Sequence, residues 1–133
     1  VEKEVHCEIM VFDKTDLKGR RYNLDCFKKY KFPERLVVTM NFGYELKDMV
    51  GYVTHLTVYM SKLIGCFTLF NKEECGVDIP ITMNLIKLMY MCPGLIIHKE
   101  VNNIRRNVVL EAELVTLGLC NTHADKNINK IGG

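Results

Sequence analysis

Leu36, Val38, Met40, Phe42, Tyr44 and Leu46 alternate with Val37, Thr39, Asn41, Gly43 and Glu45. A period of two is the period at which successive side chains of an extended chain leave opposite faces. The run is a half-buried strand, so the chain must supply neighbours to pair with it and a layer to cover its apolar row. Residues 52–60 (YVTHLTVYM) are β-branched and aromatic, with Thr54, Leu56, Val58 and Met60 on one face and Val53, His55, Thr57 and Tyr59 on the other. The polar, glycine-ending stretch 47–51 joins the two runs as an antiparallel pair. Leu36, Val38, Met40 and Phe42, with Leu56, Val58 and Met60, are expected to face the interior, because a one-residue slip would bury Glu45 instead.

Residues 5–12 (VHCEIMVF) read as an earlier strand, ended by a turn-rich segment containing Gly19. Near the C-terminus Val108, Leu110, Ala112 and Leu114 form an inner row against Val109, Glu111, Glu113 and Val115. Residues 81–91 fit a strand (Ile81, Met83, Leu85) or one side of a short helix (Ile81, Leu85, Leu88), and are read as a strand. Cys92-Pro93-Gly94 then signals a turn, and residues 95–101 a further strand. At 133 residues the chain is one domain, a β-sandwich over 1–120 followed by a polar tail over 121–133 in which Ile128 and Ile131 are isolated. The tail is expected to be mobile. Short strands with turn signals about every ten residues give an all-β fold, a sandwich or barrel.

Six cysteines, Cys7, Cys26, Cys66, Cys75, Cys92 and Cys120, are spread along the chain without C-x-x-C spacing. An even set of this kind reads as three disulfides in an exported protein, the other reading being six buried thiols in a reducing compartment. The chain opens on Val1 with no charged segment leading into an apolar run, which suits a mature exported protein whose signal peptide is gone, and equally one read from mid-protein. There is no apolar run of transmembrane length and no N-x-[ST] sequon. Eighteen basic against 16 acidic side chains give a net charge of +2, too little to favour nucleic acid as a partner.

Catalytic signatures are missing. Ser61, the only serine, has no glycine-rich setting for a nucleophile. His6, His55, His98 and His123 lie far apart and lack the i, i+4 spacing of a helical metal site. The glycines form neither a phosphate loop nor a dinucleotide fingerprint, so no cofactor and no metal are expected. Lys28-Lys29 and Arg105-Arg106 are short basic pairs of the kind found on solvated surfaces. Seven methionines suit an adaptable interior, as core filling or as the lining of a ligand cavity. The expectation is a non-enzymatic binding protein.

The cysteine spacing carries a resemblance. An early-strand cysteine at Cys7, another at Cys26, a close pair at Cys66 and Cys75 and a late-strand cysteine at Cys120 resemble the ML lipid-recognition superfamily, over roughly residues 5–120. That superfamily includes the Niemann-Pick type C sterol carrier, the ganglioside activator and the group 2 mite allergens. The resemblance implies an immunoglobulin-like sandwich of two antiparallel sheets, disulfide-stapled by Cys7–Cys120 and Cys66–Cys75, with Cys26–Cys92 as the remaining pair. It implies a secreted or endolysosomal carrier that encloses a sterol, fatty acid or similar lipid between its sheets. Met40, Phe42, Val58, Met60 and Leu110 are the expected ligand-binding walls. The alternative function is a secreted interaction module, a ligand or co-receptor with a filled core that meets a protein receptor through its surface.

Overall fold

The computed structural model describes residues 4–70, 83–102, 104, 106–123 and 125–133. The strands are β1 (Glu4–Val11), β2 (Arg20–Tyr22), β3 (Val37–Met40), β4 (Met49–Tyr59), β5 (Lys62–Leu69), β6 (Tyr90–Asn102) and β7 (Asn107–Cys120), with a 3-10 turn at Leu46–Asp48 and an α-helical turn, α1 (Met83–Ile86). The all-β class holds. The strands form one seven-stranded mixed sheet rather than two antiparallel ones, in the order β1–β5–β4–β3–β7, with β6 along one edge of β7 and β2 sharing the other edge with β3. β2 and β3 both run parallel to β7, and all other pairs are antiparallel. The sheet curls into a half-barrel that brings its edge strands β1 and β6 within contact of each other. One sheet can thus supply both layers around a core, as closing a sheet on itself does.

Register explains which residues face the hollow. Val5 pairs with Phe67 and Phe67 with Val53; Cys7 pairs with Gly65 and Gly65 with Leu56. Directly opposed residues share a face, so these rows continue across three strands. On β7 the inner row changes phase twice. Val109, then Ala112 and Leu114, then Leu117 and Leu119 are buried, because the ladder with β6 slips past Leu110 and again past Val115. Each bulge inserts one unpaired residue and exchanges the faces beyond it. The expected inner pair Val108 and Leu110 is therefore only half-buried, and Val109, assigned to the wet face, is fully enclosed.

Other expectations are corrected similarly. The strand read over 36–46 ends at Met40, where Asn41 and Phe42 take positive φ values of 49° and 60°, and Tyr44 beyond it is 96% exposed. The pairing with the following strand stands, as β3 and β4. Residues 83–86 form a helical turn, not a strand, and residues 81–82 lie outside the described set. Pro93-Gly94 makes no turn: β6 runs through it, since an edge strand needs no second N–H partner for a proline. β5 went unread in the sequence. It joins β4 through Met60 and Ser61, both at positive φ, a hairpin turn without the usual glycine or asparagine.

Two segments outside the sheet close it. Residues 23–32 lie along β7 between β2 and β3, with Asn23 N–H donating to the Val109 carbonyl and Ala112 N–H to the Cys26 carbonyl. They stack Phe27 between Phe12 and Phe32, ring centroids 5.9 and 5.4 Å apart. The tail is docked, not free. The buried Asp125 carboxylate accepts the Val11 N–H at 3.1 Å, Asn129 N–H donates to Glu8, and Ile131 N–H to the Met89 carbonyl. Ile128 is buried against the domain and Ile131 packs on the core.

Candidate binding cleft

The five expected wall residues fall in three places. Val58 shares a face with the buried Leu63, its register partner, but stands near the end of the β4–β5 hairpin and is 42% exposed. Met60 lies in the hairpin turn and is 79% exposed. Neither lines an enclosed space: Val58 keeps the expected face but lies where little covers it, and the expectation that Met60 faces the interior is corrected. Leu110 sits at the first bulge of β7. Met40 and Phe42 alone are brought together, at the end of the sheet where β3 and β7 finish and β6 begins.

The geometry there follows from the left-handed turn. Asn41 N–H donates to the Leu119 carbonyl and Gly43 N–H to the Met40 carbonyl, so the chain reverses immediately after β3. The reversal carries the Phe42 ring back over β7, where a Cβ on Gly118 would stand 3.0 Å from the ring and one on Gly94 3.4 Å. Glycine in these strands marks the close approach of another group, which at Gly118 is the Phe42 ring and at Gly94 is first the Thr116 methyl. Thr39 stands opposite Gly118, and Gly118 opposite Cys92. The Thr39 hydroxyl oxygen is buried with no hydrogen-bond partner.

Beside this ring lies an open-sided cleft of about 550 Å³, lined by Met40, Phe42, Met89, Pro93 and Leu119, by Cys92 and Cys120, and by the polar Lys18, Asn41, Asn121, Thr122 and His123. His123 is held by stacking on Tyr90, centroids 4.8 Å apart and planes 19° from parallel. Smaller spaces accompany it among the described residues, one of about 210 Å³ between residues 32–36 and β4 and two nearer β1. One of about 160 Å³ lies where β1 faces β6, lined by Ile9, Met10, Leu95, Ile97 and Ile128 together with Asp16, Arg20 and Asp125. The other, about 300 Å³, lies against β1 and the tail and includes His6, His55 and Cys66. The sequence reading missed Lys18, Met89, Pro93, Leu119 and His123; the one local signal was Gly118 between Leu117 and Leu119.

Cys7, Cys26, Cys66, Cys92 and Cys120 stand unbonded, which corrects the expected Cys7–Cys120 and Cys26–Cys92 bridges, and Cys75 lies outside the described residues. Cys7 faces the hollow from the middle of β1, whereas Cys120 ends β7 beside Cys92, so the two expected partners are set apart by register. Burial, then the neighbouring Cys92, pushes the Cys120 thiol up to about 12. Burial likewise raises Cys26 to about 12, and burial followed by the neighbouring Cys66 raises Cys7 to about 12. The Cys66 thiol lies 3.0 Å from His6 Nδ1, a catalytic-looking contact, yet burial and then Glu4 push this thiol up as well. A nucleophilic cysteine needs the opposite shift. Among the described residues no group of three His, Cys, Asp or Glu side chains is arranged to hold a metal ion, and no helix is long and apolar enough to cross a membrane.

Comparison with family models, curated proteins and solved structures gave no match. The chemistry of the cleft therefore rests on its own residues: apolar and methionine side chains on one part of the lining, and Asn41, Asn121, Thr122, Lys18 and His123 on the rest.

Proposed function

We propose that this chain is a non-enzymatic, exported binding protein that takes an apolar small molecule or lipid into the cleft beside Phe42. The observation that carries this reading is the cleft itself. Its volume of about 550 Å³ falls within the range of small-molecule sites, and its walls combine apolar side chains with a few convergent polar groups. Met40 and Met89 can adjust to varied ligand shapes. Ten buried methylenes would supply about 8 kcal/mol, which sets micromolar affinity as the upper bound before ordering costs. This placement differs from a ligand held between two sheets. The hollow of the half-barrel is filled, and the space where β1 faces β6 amounts to only about 160 Å³.

The filled core favours a second reading, a secreted interaction module working through its surface. Tyr44 and Leu46, exposed in the loop between β3 and β4, would be contact residues for a protein receptor.

Titration with a fluorescent fatty acid and a fluorescent sterol tests the first reading. Uptake should be stoichiometric, and bound ligand should raise the melting temperature, since a ligand held only by the folded state stabilises it. Met40→Glu should weaken uptake about tenfold or more, as expected for a charge placed in an apolar wall. Glu113→Gln, on the far side of β7, should leave it unchanged. If fatty acid, sterol and phospholipid all fail to bind, the cleft is not a lipid site and the interaction module takes its place.

A further inference from the structure

We propose that Cys92 and Cys120 are the two halves of a disulfide bridge across the β6–β7 pair. Tyr90 stands opposite Cys120 and Cys92 opposite Gly118. Opposed residues share a face, as do residues two apart on one strand, so the two thiols are diagonal neighbours on the same face. Gly118, opposite Cys92, has no side chain to come between them. Both cysteines are buried and both line the cleft. The two thiols interact with each other, and their carbonyl contacts are long, Cys92 to Thr122 at 3.6 Å and Cys120 to Gly118 at 3.7 Å, so a bridge would give up little.

No other pair of the described cysteines has this arrangement. Cys7 and Cys66 are close, but Cys7 stands opposite Gly65, one residue from Cys66, and adjacent positions on a strand point to opposite faces. Cys26 is enclosed in the segment along β7, beside Ala112.

Closure needs an oxidant, for which glutathione disulfide serves. The two protein thiols lose their protons and two electrons as a new S–S bond forms, and the glutathione S–S bond breaks to give two glutathione thiols. Attack requires a thiolate. Burial holds the Cys120 thiol up to about 12, so closure in the folded protein should be slow at neutral pH and faster in mild alkali.

The whole chain is equilibrated with glutathione disulfide in mildly alkaline buffer, remaining thiols are alkylated, and the protein is digested without reduction. Mass spectrometry should find the peptides containing Cys92 and Cys120 joined, two hydrogens lighter than their sum. The oxidised protein should melt roughly 5 °C or more above the reduced one. Cys92→Ser/Cys120→Ser should remove that difference. A bridge from either cysteine to any other, Cys7–Cys120 above all, overturns the assignment, as does recovery of both residues alkylated or carrying glutathione. The mapping is read on the unaltered chain, so the outcome does not depend on whether the variant folds.

Discussion

The hollow of the half-barrel and the cleft at its end are walled by the same residue types, leucine, methionine and phenylalanine, yet one is filled and the other open. In the hollow, Leu63, Phe67, Leu114 and Leu117 are covered by the facing arm of the sheet. At the cleft, Met40 ends a strand of only four residues, and Phe42 lies in the reversal through two left-handed positions that follows it. Both regions hold apolar side chains, although Asn41, Asn121 and Thr122 also line the cleft. What separates them is whether the backbone continues far enough for an opposing layer to cover the row.

The sharpest test sets one substitution in each region side by side. Phe67→Ala should cost about 3–5 kcal/mol in urea denaturation, the price of emptying a closed site, while Met40→Ala at the open end should cost about 1 kcal/mol or less. Equal losses would mean that the cleft is as closely packed as the hollow. A smaller effect, about 1–3 kcal/mol, is expected for Gly118→Ala, whose new methyl would press on the Phe42 ring. In a Phe42→Ala background most of that penalty should vanish, and a double-mutant cycle in thermal melts gives the coupling. An additive result would place the ring elsewhere. The smallest change is a gain. Thr39→Val removes a buried hydroxyl that lacks a partner, and should raise stability by about 1 kcal/mol. A loss of similar size would reveal a hydrogen bond to that oxygen, carried by water or ligand.

Period-two alternation located β1, β4 and β7, and the β3–β4 pairing, because a half-buried strand writes its faces directly into residue order. It failed at the bulges. One unpaired residue at Leu110 and another at Val115 exchange the faces, and neither position has a distinctive side chain to announce it. The Asn41-Phe42 and Met60-Ser61 turns were hidden for a related reason, since they place ordinary side chains where glycine is the customary signal. β5 was obscured by Gly65, which fills an inner position without adding an apolar side chain to the pattern. Of the site, Met40 and Phe42 were legible as apolar strand residues. Lys18, Met89 and His123 were not, because only the curl of the sheet gathers segments about a hundred residues apart.

The docking of Asp125 onto Val11 bears on how the chain acquires its fold. β1 pairs on one side with β5, and at its far end the Val11 N–H is taken by Asp125, 114 positions later. Until that residue arrives, this end of β1 is a bare edge with an unpaired N–H group, the kind of surface on which strands of different molecules join. Distant contacts of this sort close late and fold slowly. The interval before closure is when the chain is most exposed to self-association, and shortening it, by crowding out competing strands or by a chaperone that shields the edge, would govern yield more than the packing of the finished core.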